Sequence, residues 1–165
     1  MEDLLAFGRQ ALASQPFSVL LGAELLCFSQ GRAELKIPIR PELKQQHGFV
    51  HGGVISYAAD NALTFAGGSA LGPGVVTSEF KINYLRPAIG DFLAARATVI
   101  YSSKSQAVCR CDVFMSNEGK ESLCATSQGT ISATPAPGLE GLTAFRWMPS
   151  VEMQLYIMLE VIVVS

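Results

Sequence analysis

Two hydrophobic rhythms organise this chain. Residues 32–39 alternate strictly, with Ala33, Leu35, Ile37 and Ile39 on one face and Arg32, Glu34, Lys36 and Pro38 on the other. That is the signature of a half-buried strand, and Pro38 marks its end or a sheet edge. From Gly53 the rhythm changes. Val54, Tyr57, Ala58, Ala62 and Phe65 recur at spacings of three and four, and Ile55, Ala59, Leu63 and Ala66 fill the rest of the circumference. A helix apolar on nearly all sides is a buried helix. Its small residues at 58, 59, 62 and 66 allow close backbone packing, and Gly67 and Gly68 predict its end.

Alternation returns in residues 75–85. Val76, Ser78, Phe80, Ile82 and Tyr84 face one way; Thr77, Glu79, Lys81, Asn83 and Leu85 face the other. Residues 92–101, 107–115 and 121–134 read as further strands, with a hairpin turn at 117–119. Ahead of all these, residues 1–15 read as a short surface helix packing through Leu4, Leu5 and Leu12 and ended by Pro16, and residues 17–28 hold a first strand. Strands, one buried helix, then about four antiparallel strands predict an α+β domain: a single long helix against one curved antiparallel sheet.

The chain has 165 residues, a length that suits one domain. The domain is expected over residues 1–134. Residues 135–165 are set apart by Pro135, Pro137 and Gly138, and end in an apolar run at 153–164 that is shorter than the roughly 20 residues a bilayer-spanning helix needs. This extension is expected to pack on the domain or on a partner. Hydrophobic residues make up 49% of the chain, enough for a real core. The net charge of −2, from 12 basic and 14 acidic residues, argues against a broad nucleic-acid surface, and leaves room for a small anionic ligand held by one or two cations. Cys27, Cys109, Cys111 and Cys124 form no CxxC pair and are expected to be reduced and mostly buried. With His47 and His51 as the two imidazoles, they match no standard zinc spacing. The N-terminus has early acids and no basic segment, so it does not read as a secretory leader, and a cytoplasmic setting is expected.

Candidate chemistry lies in residues 45–68. Adjacent glycines at the helix start, Gly52 and Gly53, let a ligand approach the backbone closely. Free N–H groups and the helix dipole there favour negative charge, which makes this end a candidate oxyanion hole. A plain helix start with two glycines accounts for the same residues. Asp60 is the one charged residue between His51 and Gly74. Inside an apolar helix it costs desolvation unless paired or functional; it could otherwise cap a loop or reach solvent. Eight residues separate Gly52 from Asp60, about 12 Å along a helix. One helix therefore cannot easily present both to a single carbonyl carbon, whereas two antiparallel copies in a twofold dimer could. His51 could donate to a carbonyl or simply hold the loop. Gln45 offers a neutral amide, Thr77 a hydroxyl, and Arg86 and Lys104 are candidate phosphate ligands; each also has an ordinary structural explanation.

Taken together, HGFVHGGVISYAAD at 47–60 and VVTSEFKINYLRPAIGD at 75–91 resemble the PaaI-like group of hotdog-fold acyl-coenzyme A thioesterases. The matching positions are Gln45, Gly48, His51-Gly52-Gly53, Asp60 and the run Asn83-Tyr84-Leu85-Arg86-Pro87, and the likeness extends over about residues 15–134. The resemblance implies a hotdog fold paired into homodimers and tetramers, with no cofactor beyond the acyl-CoA substrate itself. It implies that Asp60 is the catalytic general base or nucleophile and that the Gly52 amide polarises the thioester carbonyl. It places Gln45 near the thioester or the water, Thr77 beside that water, and His51 where it orients the loop or the substrate. Arg86 and Lys104, with Gly53 and Asn83 of the motifs, fall on the coenzyme A side. Gln45 departs from the commoner Asn. Two rival readings remain at this point: an enoyl-CoA hydratase or dehydratase on the same fold, and a non-catalytic module that binds acyl-CoA or a protein partner.

Overall fold

The computed structural model describes residues 4–134. In chain order the elements are α1 (Leu4–Ala13), α2 (Pro16–Leu21), β1 (Glu24–Ser29), β2 (Arg32–Pro38), a single 3₁₀ turn (Pro41–Leu43), α3 (Gly52–Leu71), β3 (Val75–Tyr84), β4 (Phe92–Ser102), β5 (Gln106–Asn117) and β6 (Lys120–Ala133). The six strands form one antiparallel sheet in the order β1-β2-β4-β5-β6-β3. The 20-residue helix α3 lies across it and touches every strand. Leu35, Ile37, Leu63, Leu93, Val113 and Ile131 are fully enclosed between the two layers. The expected α+β architecture, a long central helix wrapped by a curved antiparallel sheet, is the one the chain adopts.

Several local expectations change. Pro16 opens a helix rather than closing one. It sits in the first turn of α2, where its missing N–H costs nothing, so residues 17–21 are helical and β1 begins only at Glu24. Gly22, at φ +69°, ends that short helix. In α1 the packing side is Leu5, Gly8 and Leu12, while Leu4 turns outward. Pro38 does end its strand, but β2 is an interior strand.

The larger corrections concern α3 and β3. Helix α3 runs through Gly67 and Gly68 to Leu71, and Gly72 caps it at φ +97°. A Cβ on Gly67 would lie 2.6 Å from Ile131 Cβ. The glycine is there because the helix touches β6, and not because the helix stops. In β3 a bulge between Thr77 and Glu79 breaks the alternation. Val75 and Thr77 ahead of it, and Phe80 and Ile82 after it, are therefore the more sheltered positions. The predicted hairpin turn is present between β5 and β6, with Glu118 and Gly119 both at positive φ.

All four thiols are free, and Cys109, Cys111 and Cys124 are buried. Burial pushes the Cys109 and Cys124 thiols up to about 11 and Cys111 to about 12, so these three are unreactive packing groups. The extension at 135–165 lies outside the described residues.

Candidate active site

The site is built from the loop before α3, the first three turns of that helix, and β3 beside it. An isolated bridge between Lys44 and Val50 closes the loop. Inside it the Gln45 N–H donates to the Phe49 carbonyl at 2.8 Å and the Gly48 N–H to the Gln45 carbonyl at 2.9 Å, with Gly48 at φ +82°. Gln45 is held half-buried at the base of this loop. The His51 N–H bonds to Leu43 O at 2.8 Å, which joins the 3₁₀ turn to the helix start.

His51 is the N-cap of α3. Its Nδ1 accepts the Gly53 N–H at 3.0 Å. The Val54 and Ile55 amides both reach the His51 carbonyl, at 2.9 and 3.4 Å. Of the amides in this first turn, that of Gly52 is left with no acceptor among the described residues. An unmet donor at a helix N-terminus sits where the helix dipole is most positive. The two glycines thus separate in role: Gly53 gives its N–H to the cap, and Gly52 keeps its own. With Nδ1 accepting, the neutral His51 ring carries its proton on Nε2.

Asp60 lies two turns further on and is half-buried. Its Oδ1 is enclosed, with no hydrogen-bond partner among the described residues. A buried carboxylate oxygen without a partner is costly, and a site that takes up a water or a substrate would have such an oxygen. One turn later, Thr64 Oγ1 donates to the Asp60 carbonyl at 2.9 Å and lies 2.8 Å from Thr77 Oγ1. Thr64 has already spent its proton, so Thr77 is the donor to Thr64. Its oxygen lone pairs are free to accept from a third group. The structure therefore seats Thr77 beside the turn that follows Asp60.

At the other end of β3, the Tyr84 hydroxyl donates to the Gly52 carbonyl at 3.1 Å. The contacts Tyr84–Gly52 and Thr77–Thr64 together show that α3 runs antiparallel to β3. Asn83 and Arg86 are exposed at this same end. Arg86 follows β3, where its N–H reaches Cys124 O. Lys104 is not with them. The Ala133 N–H bonds the carbonyl of its neighbour Ser105, and Cys124 and Ala133 are nine residues apart on β6, about 30 Å along a strand. Within one chain Arg86 and Lys104 stand at opposite ends of the sheet. Two residues join the site beyond those the sequence points to as site residues: Thr64, and Tyr84, which the sequence offers only as part of the run at 83–87. Thr64 had a usable signal, since it stands four residues after Asp60 and so shares its helical face.

Comparison with known proteins agrees with this architecture. Residues 47–122 match the family model described as the Thioesterase superfamily. The crystal structure of a thioesterase family protein from Silicibacter pomeroyi is similar at TM-score 0.73 and 36% identity, covering 75% of this chain and 93% of that one. A thioesterase structure from Haemophilus influenzae is similar at TM-score 0.71 and 29% identity, covering 83% and 94%. Over 89 residues, 53% of this chain and 63% of its own, the acyl-coenzyme A thioesterase PaaI of Escherichia coli is 32% identical. The chain belongs to the thioesterase superfamily, on the PaaI-like branch of the hotdog fold, and is an enzyme of the thioester-hydrolase class.

Proposed function

We propose that this protein hydrolyses acyl-coenzyme A thioesters, with Asp60 as general base or nucleophile and the Gly52 N–H as oxyanion donor. The observation that carries this reading is the pairing of two unmet groups: an enclosed carboxylate oxygen on Asp60 and an amide without an acceptor on Gly52. The thioester carbonyl docks on the Gly52 amide. Asp60 either attacks the carbonyl carbon or takes a proton from an attacking water, and the new C–O bond pushes charge onto the oxygen facing Gly52. Collapse breaks the C–S bond, the electron pair leaves with sulfur, and the thiolate takes up a proton. In the nucleophile version a water then opens the acyl–Asp60 anhydride. Thr77 and Gln45 hold the water and the thioester, and His51 fixes the loop through its cap. Because His51 Nδ1 is engaged by Gly53, it is poorly placed as the base of a hydratase, and this favours hydrolysis over hydration.

The reaction needs two chains. Strand β3 is an edge of the sheet, ten residues long and open to pairing with another chain. Antiparallel pairing of β3 with its own copy sets the Val75 end of one against the Tyr84 end of the other. Each α3 is carried along, which brings Gly52 of one protomer toward Asp60 of its partner. The same operation carries Lys104 of one protomer toward Arg86 of the other, where both can meet coenzyme A phosphates with Asn83 and Gly53 nearby. Two such sites per homodimer follow from the symmetry, and dimers can pair further into tetramers. Three buried free thiols suit a cytoplasmic, reducing setting.

Thiol release from a panel of acyl-CoAs tests the reading. Wild type should turn over at least one of them, and Asp60→Asn should lower kcat/KM by about 10²-fold or more. An Asp60→Asn enzyme as fast as wild type would remove the acid from the mechanism. Wild-type binding with no thiol released would make the protein a binding module.

A further inference from the structure

Helix α3 starts on two residues with little conformational constraint of their own. Gly52 and Gly53 lack a Cβ and have the widest choice of backbone angles. They also form the first turn of α3, where the ladder of helical hydrogen bonds has not yet closed. An oxyanion donor is effective when it is aimed before the charge develops. The free Gly52 N–H therefore needs support from outside the helix.

Two peptide planes meet at the Gly52 α-carbon, and both are held. The first carries the Gly52 N–H, and its carbonyl edge, that of His51, accepts the Val54 and Ile55 amides at 2.9 and 3.4 Å. The second joins the two glycines, with the Gly52 carbonyl on one edge and the Gly53 N–H on the other. The Gly53 N–H donates to His51 Nδ1 at 3.0 Å. The Tyr84 hydroxyl donates to the Gly52 carbonyl at 3.1 Å. A carbonyl oxygen has two lone pairs, so it can take this bond beside a helical one. The phenol also covers the Gly52 α-carbon, since a Cβ built there would meet Cζ and Oη of Tyr84 at 3.6 Å. His51 is a chain neighbour and comes with the cap. Tyr84 is 32 residues away at the end of β3, so its bond ties the helix start to the sheet.

We propose that Tyr84 is a positioning residue for the oxyanion amide: its hydroxyl pins the Gly52–Gly53 peptide, and the pinned peptide keeps the Gly52 N–H aimed at the thioester oxygen. This rests on the thioesterase reading above, in which Gly52 is the donor. Tyr84 acts through the backbone and not on the substrate. Its one proton is committed to the Gly52 carbonyl, so it is not the acid that meets the leaving thiolate. Loss of the hydroxyl leaves the second plane held at one edge, by His51 alone, and lets Gly52 rotate. Tyr84 is also the last residue of the edge strand at which a second copy is proposed to pair. The strand that would recruit the partner thus steadies the donor of its own chain.

The test is a double-mutant cycle of Tyr84→Phe and Gly52→Pro. Thiol release is measured with acetyl-, octanoyl-, dodecanoyl- and benzoyl-CoA and read on the one that wild type turns over fastest. Tyr84 is 52% exposed and Phe keeps the ring, so Tyr84→Phe is expected to fold. It should lower kcat by about three- to tenfold, the worth of one hydrogen bond, with KM unchanged. With proline at 52 there is no donor left to aim, so adding Tyr84→Phe should cost nothing further in kcat. Amide hydrogen exchange gives a readout that needs no turnover. The Gly53 N–H lies on the pinned plane and should exchange about three- to tenfold faster in Tyr84→Phe. A Tyr84→Phe enzyme with wild-type kcat, or with unchanged Gly53 exchange, would overturn the inference. The same fold loss in both backgrounds would reduce Tyr84 to a structural role, and a raised KM at constant kcat would make it a substrate contact; either outcome overturns it too. Wild-type kcat in Gly52→Pro alone would instead remove the donor itself, and absence of thiol release from every acyl-CoA would remove the thioesterase reading.

Discussion

The Gly52 position admits an unusually clean substitution. It is the first residue of α3, where proline is tolerated because the N–H has no intrahelical acceptor. The preceding His51 sits at φ −62°, ψ 135°, a conformation that a following proline accepts. A Cβ at 52 would make an ordinary 3.6 Å contact with the Tyr84 ring. Gly52→Pro should therefore leave the far-ultraviolet circular dichroism spectrum unchanged while deleting the proposed oxyanion donor. The expected loss in kcat is about 10²–10³-fold. A Gly52→Pro enzyme with wild-type kcat would show that the oxyanion donor lies elsewhere. The same substitution at Gly53 is a different experiment, because it would also cut the bond to His51 Nδ1. At this scale the sequence is a fair guide to which residue types gather at the site. The residue pattern alone does not tell adjacent glycines apart, because which amide is free depends on where the His51 ring points; the family resemblance is what singles out Gly52.

Among the elements, α3 and β3 decide how tightly the acid is held. The helix approaches β6 at Gly67, where a Cβ would come within 2.6–2.9 Å of three Ile131 side-chain atoms. Those atoms belong to a fully buried, β-branched residue and cannot move aside. Gly67→Ala should cost roughly 1–3 kcal/mol by overpacking, read from urea unfolding as a lower midpoint with an unchanged slope. A neutral or stabilising result would mean that the helix can lift from the sheet without penalty. Helix propensity alone would favour alanine here by about 1 kcal/mol, so the sign of the change separates packing from propensity. The β3 bulge is the corresponding device on the strand. By breaking alternation between Thr77 and Glu79, it lets Thr77 reach Thr64 while Phe80 and Ile82 still pack inward.

For the whole molecule the question is whether one site draws on two chains. Mixing separately inactive Asp60→Asn and Gly52→Pro proteins, then unfolding and refolding them together, decides it. In a shared site, each mixed dimer has one site with both defects and one with neither. Activity should return to about a quarter of the wild-type value, because half the dimers are mixed and each has one intact site. No recovery, with mixed dimers demonstrated, would place both groups in the same chain. Arg86 and Lys104 belong to the same question. The single chain holds them at opposite ends of β6, so their joint action on one coenzyme A also requires the partner.

The amino-acid pattern by itself determined the fold class, the buried helix, most strand positions, the β5–β6 turn and the identity of Asp60 as an acid out of place. These are local properties, written in periodicity and in the cost of a charge among apolar neighbours. Tertiary structure decided the rest. It made Pro16 a helix start, carried α3 past two glycines of which Gly67 leaves room for Ile131 of β6, and shifted the register of β3 at a bulge. It also drew Thr77 to Thr64, and Tyr57 to Ser18. Each of these depends on contact between residues distant in the chain, where packing energy outweighs the small local preferences that a sequence displays.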